Sequence, residues 1–180
     1  MKHFSSTSFY QQSGAVLVIS LIMLLLLTLI GVTGTQVTSM EEKMAGNMKD
    51  QNMAFQAAES GLRAGEAWVA GQAIRPVPNN TGSTQVWTLD SAATAASSNW
   101  WEERNAAWWG SNAVQFVATL SDIKTNPYYL IEQQYFDKDS LTLGISTDNS
   151  GRVLYRVTAK GTGGSDLTRA LLQSTYSKRF

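Results

Sequence analysis

An uncharged apolar run near the N-terminus places the strongest constraint on the fold of this chain. The run Ala15–Val32, AVLVISLIMLLLLTLIGV, has no charged side chain, and only Ser20 and Thr28 are polar. As a helix that rises about 1.5 Å per residue, it is long enough to be a transmembrane candidate, whereas a core helix of this size usually keeps a polar stripe. The sequence therefore predicts a hydrophobic membrane-spanning helix in the segment 15–37.

The residues that flank this run distinguish a retained span from a cleaved secretory signal. The run is longer than the usual ~7–15 apolar residues of a signal peptide, and no small-x-small cleavage site stands out beyond it. Lys2 precedes the run, and the first charged residues after it are Glu41 and Glu42. This asymmetry favours a cytoplasmic N-terminus with the rest of the chain exported. A secretory signal is the competing interpretation.

The composition argues against most familiar catalytic and nucleic-acid-binding sites. The chain of 180 residues has 14 Lys plus Arg against 14 Asp plus Glu, no Cys, and one His, which is His3. Beyond His3 the usual zinc ligands, thiol nucleophiles and Ser-His-Asp arrangements cannot be built. The zero net charge and the lack of a Lys/Arg-rich run argue against nucleic acid. We expect a protein that is not an enzyme and needs no cofactor or metal.

The helical pattern continues beyond the apolar run as an amphipathic helix, predicted for residues 38–74. Pro76 and Pro78 cannot continue it, so its end is predicted near residues 70–74. One stripe of this helix consists mostly of residues with small side chains, which would let another element approach the helix backbone closely: Ala54, Ala57, Gly61, Gly65 and Trp68. Steps of three and four residues from Val37 give a mostly apolar face, whose methionines we interpret as core packing: Met40, Met44, Met48, Gln51, Phe55, Ala58, Leu62, Gly65 and Val69.

Beyond Pro78 the pattern changes to short β-like runs, and the predicted fold class is α+β. The final two candidate strands are joined by GTGGSD, which predicts an antiparallel hairpin. Its predicted buried face is formed by Val153, Tyr155, Val157 and Ala159. We expect residues 75–180 to form a globular β-rich head whose antiparallel sheet packs on the helix. The candidate strands are Gln85–Leu89, Val114–Leu120, Tyr128–Phe136, Leu141–Ile145, Arg152–Lys160 and Leu167–Tyr176.

A tryptophan-rich segment, NWWEERNAAWWG at Asn99–Gly110, interrupts the β-like runs. Asn99 with Glu102 three residues later indicates a helix start, and residues 101 and 108 are seven apart, which places them on one face of that helix. Two interpretations stay open, burial against the sheet and an exposed surface that contacts a partner protein or a sugar. They concern Trp100, Trp101, Trp108 and Trp109.

Several stretches of the chain resemble a known family. A short polar leader ending in Gly14, then an apolar helix that becomes amphipathic, then a β-rich head, looks like a type IV prepilin. MEEKMAGN at Met40–Asn47 and AFQAAESGLRAGEAW at Ala54–Trp68 resemble the N-terminal region of PilX-type minor pilins. YRVTAKGTGG from Tyr155 resembles their closing hairpin. The resemblance does not extend to Val77–Ser150.

The resemblance implies processing where the leader meets the helix. In the family, a membrane peptidase cuts after the leader glycine and methylates the new N-terminus, which here implies a cleaved leader 1–14, a cut after Gly14 and methylation of Ala15. The family usually has Glu at the fifth mature position, where this chain has Ile19. Because a carboxylate without its partner is costly in a membrane, we interpret Ile19 as suited to a filament tip. The alternative is that Ile19 is tolerated because the subunit is scarce.

The resemblance also implies a function in assembly. The chain would be a minor pilin that helps to initiate a type IV pilus within a tip-associated complex. Implied partners are other minor pilins, the major pilin, the prepilin peptidase, the inner-membrane assembly machinery and a tip adhesin. Apolar packing between neighbouring helices would hold the complex, and Gly31 and Gly34 would permit close approach or local unwinding.

The implied localisation is a single-pass inner-membrane protein with a periplasmic head before assembly, and the extracellular pilus afterwards. Adhesion and twitching motility would follow at the level of the family. Two alternatives stay open. One is a type II secretion minor pseudopilin of the K kind, and the other is a membrane-anchored periplasmic binding module.

Overall fold

In the part of the chain that the structure describes, a long helix is followed by a five-stranded sheet. The computed structural model describes residues 13–89, 101, 104–138 and 151–180. Contacts divide the chain into two compact units, Met1–Gly46 and Asn47–Phe180. The predicted α+β class is confirmed. The elements are α1 (Ser13–Gly71), β1 (Val86–Thr88), α2 (Ala106–Asn112), β2 (Val114–Gln115), β3 (Tyr128–Lys138), β4 (Gly151–Thr162) and β5 (Arg169–Arg179).

In the first unit, the side chains of α1 are exposed throughout residues 14–46. By length and composition alone, the helix is apolar and long enough to cross a membrane. The hydroxyls of Ser20 and Thr28 donate to the carbonyl oxygens of Leu17 and Leu25, each at 2.8 Å. The two polar side chains of the apolar run are therefore satisfied inside the helix, as a span in lipid requires.

Three methionines of α1 are not buried by any residue that the structure describes. Met40, Met44 and Met48 are exposed, and so are Val37 and Phe55 on the same apolar face. The interpretation of these methionines as core packing is therefore wrong. Met40 and Met44 belong to the first unit, where no side chain of residues 14–46 is buried. At Met48 and Phe55 the sheet packs on the neighbouring stripe of smaller side chains, which lets the strands come closer to the helix than a methionine would allow.

The second part of α1 meets the sheet through this stripe of small residues. A Cβ on Gly65 would lie 2.7 Å from Val157 Cγ1. On the opposite side, a Cβ on Gly161 of β4 would overlap backbone atoms of Ala54 and Ala58. Backbone therefore approaches backbone, which glycine at these positions permits. The buried members of the stripe are Ala54, Ala57, Gly61 and Gly65, and Ala58 of the adjoining apolar face is buried beside them.

The sheet has the strand order β1-β3-β4-β5, and β2 pairs with β3 beside this path. Strands β3, β4 and β5 are antiparallel, with Tyr155 opposite Gln133 on one side and Tyr176 on the other. The predicted hairpin and antiparallel sheet are confirmed for these strands. Strand β1 pairs in parallel with β3, with Val86 opposite Ile131, so the described sheet is mixed at this edge.

The candidate strand Val114–Leu120 is wrong beyond Gln115, because only Val114–Gln115 forms a strand. The Phe116 amide donates to the Pro127 carbonyl at 2.9 Å, but proline has no N–H to return the bond, so the ladder ends there. The candidate strand Leu141–Ile145 lies outside the described residues.

Strand β4 is buried on one face along its length and on both faces in its second half. Its predicted buried face is confirmed, because Val153, Tyr155, Val157 and Ala159 are all fully buried in one cluster with Val69 of α1. On the other face, Thr158 and Lys160 are also buried. Trp109 of α2 lies over that face, with its ring centroid 5.8 Å from Lys160 Nζ. The sheet is thus covered by α1 on one side and by tryptophans on the other.

Helix α1 ends at Gly71, within the predicted range. The Lys178 ammonium of β5 donates to the carbonyl oxygens of Val69 at 3.0 Å and Ala70 at 2.7 Å, and also to the Gln72 carbonyl. The last carbonyls of a helix lack partners in the helix and carry partial negative charge. Lys178 therefore caps the helix and ties its end to the last strand.

Candidate functional site

Gly14 and Ala15, the predicted cleavage and methylation site, lie in the first turn of α1. Both residues are exposed, and outside the helix itself nothing lies within 4 Å of a Cβ at Gly14. Leader residues 1–12 lie outside the described part of the chain. No described residue outside the helix therefore covers this position, and cleavage between the two residues stays a prediction.

Ile19, Gly31 and Gly34, the predicted assembly positions, are all exposed. Helix α1 runs through both glycines without a break, so the local unwinding that glycine would permit is not present in this structure. Outside the helix itself, nothing lies within 4 Å of a Cβ at either glycine. The surface at these positions is therefore open to a neighbouring helix, and their role in assembly stays a prediction.

The tryptophans gather on the outer face of the sheet. Trp109 and Trp87 are buried together with Leu130 of β3, and Trp101 and Trp108 are half-buried against them. The Trp108 ring packs edge-on against Trp109, with centroids 5.7 Å apart, and lies 6.5 Å from the Trp87 ring. This cluster is the second core of the head.

Trp109 does not belong to the predicted partner surface. Its exposed fraction is 0%, so it supports the fold and is not part of an exposed patch. Trp101 and Trp108 keep partial exposure, whereas Trp100 lies outside the described residues. Trp87 was missed, although its place in a predicted strand with Val86 on the opposite face was a signal for burial under a second layer.

The short helix that carries Trp108 and Trp109 begins at Ala106. The Asn105 side chain caps α2 by accepting a hydrogen bond from the Trp108 amide at 2.9 Å, which is the usual role of Asn at a helix start. The predicted start at Asn99 with Glu102 lies outside the described residues. Asn105 is followed by Ala106 and Ala107, both good helix formers.

An ion pair lies beneath this cluster. Glu132 of β3 has an exposed fraction of 0%, and Arg156 of β4 donates to Glu132 Oε2 from Nε and Nη2, both at 2.8 Å. The Arg156 guanidinium lies 5.2 Å from the Trp101 ring centroid. Removing one partner would leave a buried charge without its counter-charge, which is strongly destabilising. The pair and its cover therefore have a structural role, which sequence reasoning did not find.

A second polar contact ties α1 to the loop between β4 and β5. Gly164 N donates to Asp50 Oδ1 at 2.5 Å, and Ser165 Oγ donates to Asp50 Oδ2 at 2.9 Å. Hydrogen bonding, led by the Thr168 side chain, holds the pKa of the Asp50 carboxyl below its ordinary value of 3.8. The loop GTGGSD was predicted only as a turn, and its function as a binding partner for helix α1 was missed.

Two buried phenols, Tyr129 and Tyr155, lie in the core between the sheet and α1. Burial raises the pKa of Tyr155 to about 12, with Arg75 opposing the shift, and burial also raises the pKa of Tyr129. Both side chains therefore stay protonated at neutral pH. Among the described residues, no group of three or more His, Cys, Asp or Glu is placed to hold a metal ion.

Two family models match the chain. The model described as PilX N-terminal matches residues 13–63, and the model described as type IV pilus assembly protein PilX C-term matches residues 71–178. No curated protein and no solved structure matches the chain. Together the two matches cover the long helix and the sheet, including the middle region that the sequence resemblance did not reach.

Proposed function

Because the chain belongs to the PilX family of type IV pilus assembly proteins, we propose that it is a minor pilin that helps to initiate a pilus within a tip-associated complex, without enzymatic activity. The observation that carries the proposal is the exposed apolar surface of α1 over residues 14–46. In lipid or in a bundle of equivalent helices, this surface packs on apolar partners. Its partners would be other minor pilins, the major pilin and the inner-membrane assembly machinery.

The proposal includes processing before assembly. The prepilin peptidase would cut after Gly14 and methylate Ala15, and the protein would wait in the inner membrane with its N-terminus in the cytoplasm and its head in the periplasm. The test is the intact mass and N-terminal sequence of the protein from cells with and without the peptidase. A methylated Ala15 start that depends on the peptidase is expected. A retained Met1, or a cut beyond Val32, contradicts it.

The tip position rests on Ile19. The segment from Ala15 to Met40 has no carboxylate, so the chain cannot neutralise the charged N-terminus of a neighbouring subunit with an acidic side chain in the membrane. A subunit at the tip has no neighbour above it and would carry an unpaired Glu at a cost.

Substitution of Ile19 tests the tip position. Ile19→Glu is expected to lower the number of pili on the cell and to weaken the complex with other minor pilins, whereas the matched variant Ile19→Leu is expected to keep both. Processing at Gly14 is measured in both variants, so that a failure to mature is recognised. Unchanged piliation in a matured Ile19→Glu protein would contradict the tip position.

The half-buried tryptophans supply a second contact surface in this proposal. Trp101 and Trp108 would contact another minor pilin or a tip adhesin, and Trp100 belongs to the same segment. Trp108→Ala is expected to keep the fold, because Trp109 and Trp87 beneath it remain, and to weaken recovery of the partner pilins with the purified protein. Normal recovery with the folded variant would show that Trp108 serves packing alone.

A further inference from the structure

Strand β5 lies at one edge of the sheet. It runs for 11 residues, Arg169–Arg179, and among the described strands it pairs only with β4. Its register with β4 is continuous, without a bulge, and the strand has no proline. Proteins often protect an edge by keeping it short or by interrupting it with a bulge or a proline. Strand β5 has none of these three protections.

One pair of hydrogen bonds shows which backbone groups of β5 face away from β4. The Phe180 amide donates to the Gly151 carbonyl at 3.0 Å, and the Gly151 amide donates to the Phe180 carbonyl at 3.3 Å. In an antiparallel ladder, such reciprocal pairs recur at every second residue. The even-numbered residues of β5 therefore bond to β4. The odd-numbered residues direct their N–H and C=O groups away from β4 and form what we call the β5 edge: Arg169, Leu171, Gln173, Thr175, Ser177 and Arg179.

The apolar side of β5 is incompletely covered. Tyr155 of β4 is fully buried, whereas its cross-strand neighbour Tyr176 of β5 is only half-buried. Leu172 and Phe180, on the same face as Tyr176, are half-buried too. Tyr176 and Phe180 pack against the core between the sheet and α1, so this core reaches the surface along β5. A further strand beside β5 would bury more of its apolar area, which is favourable.

The charges of β5 indicate the chemistry of a partner strand. Arg169 and Arg179 lie at its two ends, and both are exposed. The strand has no Asp or Glu, and Lys178 faces the other side, where it caps α1. A second copy of β5 in full antiparallel register would place Arg169 opposite Arg179 at both ends, and like charges directly opposite each other are destabilising. A strand with carboxylates at its ends would instead bring an opposite charge to each arginine.

We propose that the β5 edge binds an extended segment of another protein, with acidic residues at its ends, and that this segment adds a strand to the sheet. Backbone hydrogen bonds to the β5 edge would hold the segment. Alternate side chains of the segment would cover Leu172 and Tyr176 on one face of the sheet and would carry the carboxylates to the arginines on the other. This surface is distinct from the tryptophan surface, which lies on the outer face of the sheet.

The test uses a synthetic peptide as the probe. The peptide EVTVSVSVTVE has the length of β5 and, in either strand direction, places Glu opposite Arg169 and Arg179. The matched control is KVTVSVSVTVK. Binding of each labelled peptide to the full-length protein in detergent is measured by fluorescence anisotropy. We expect saturable binding of the acidic peptide and about tenfold or more weaker binding of the control. No saturable binding, or equal binding of both peptides, would overturn the proposal.

Amide hydrogen exchange, followed by NMR, locates the bound peptide. The amides of Gln173, Thr175 and Ser177 are expected to exchange more slowly when the acidic peptide is bound. The amides of Ser174 and Tyr176 already bond to β4, so their exchange is expected to change little. Slower exchange of α2 amides without this alternation along β5 would place the peptide on the tryptophans and contradict the proposal.

Proline variants test the edge without depending on the peptide sequence. Thr175→Pro removes an N–H that faces away from β4, which an edge strand tolerates. It is expected to keep the fold and to weaken binding of the acidic peptide about fivefold or more, whereas the matched variant Thr175→Val is expected to keep both. Ser174→Pro removes an N–H that bonds to β4 and is expected to lower the thermal midpoint much further. Unchanged affinity in folded Thr175→Pro, or equal midpoints of the two proline variants, would contradict the assigned edge.

A cross-link in cells identifies the natural segment. A photoreactive amino acid replaces Thr175 in the full-length protein, and the cross-linked peptides are mapped by mass spectrometry. A segment of another protein that carries Asp or Glu is expected. A cross-link to a second copy of this chain, or no cross-link, would contradict the assigned occupant. Binding of the probe peptide depends on neither leader cleavage nor pilus formation, so the proposed function can fail while this site stands.

Discussion

Gly161 is the residue on which the packing of helix and sheet depends most directly. A Cβ at this position would overlap the amide nitrogen of Ala58 and the carbonyl oxygen of Ala54. Both are backbone atoms inside a helix, so neither can rotate away as a side chain would. The strand would have to move off the helix as a whole.

We therefore expect Gly161→Ala to lower the free energy of unfolding of the head by about 3 kcal/mol or more, because overpacking of this kind cannot be relieved by a rotamer change. The control is Gly71→Ala, where nothing outside the helix lies within 4 Å of the new Cβ. Urea denaturation followed by circular dichroism measures both variants. Equal midpoints for Gly161→Ala and the parent would show that the strand approaches the helix less closely.

Asp50 makes the stability of the head depend on pH. Its pKa is lower in the folded chain than its ordinary value of 3.8, chiefly through the hydrogen bond with Thr168. The ionised Asp50 carboxylate thus stabilises the fold when the pH is above 3.8. This stabilisation is lost as the pH falls through the lowered pKa. We expect the urea midpoint of the parent to fall as the pH drops from about 5 to below 3, and Asp50→Asn to remove part of this fall. The control Asp137→Asn, at an exposed carboxylate of β3, is expected to keep it, and an unchanged slope in Asp50→Asn would contradict the assignment.

At the scale of elements, the sequence predicted those features that depend on periodicity and on breakers. The alternation of Val153, Tyr155 and Val157 predicted the buried face of β4, and the prolines after Ile74 predicted the end of α1. Periodicity shows which face of a strand is apolar, but it does not show what covers the other face. The burial of Lys160 and Glu132 under tryptophans could therefore not be predicted from the sequence.

The same limit explains the error with the methionines. Two neighbouring faces of α1 were apolar enough to be buried. Which of them packs on the sheet depends on how closely the sheet can approach the helix, and this is a property of the helix and the sheet together, not of the helix alone. The polar contacts were missed for a related reason. Asp50 and the loop at Gly164 are 114 residues apart, and no local pattern connects them.

Substitution can distinguish the contributions of Trp108 and Trp109 to stability, although the two residues are adjacent in sequence. Trp109→Ala empties a fully buried site and is expected to cost about 3–5 kcal/mol of unfolding free energy. Trp108→Ala removes a half-buried ring and is expected to cost about 1–2 kcal/mol. Near-ultraviolet circular dichroism and urea midpoints measure the two variants. Equal losses would contradict the assignment of Trp109 alone to the core.

At the scale of the whole molecule, the described core lies in the second unit. The buried apolar residues run from Ala54 to Ala159, and residues 14–46 add no buried side chain. We expect a chain that starts at Asn47 to fold, with a thermal midpoint within about 3 °C of the full-length protein in the same detergent. A molten or insoluble product would contradict the independence of this unit.

The contacts that hold α1 to the sheet also set an order of events during synthesis. Asp50 with Ser165 and Glu66 with Ser174 join residues that are 115 and 108 positions apart. Contacts over such separations form slowly, because the loop between them must be closed first. The small-residue face of the helix is therefore made long before the strands that cover it, and it stays open to other strands until β4 and β5 arrive.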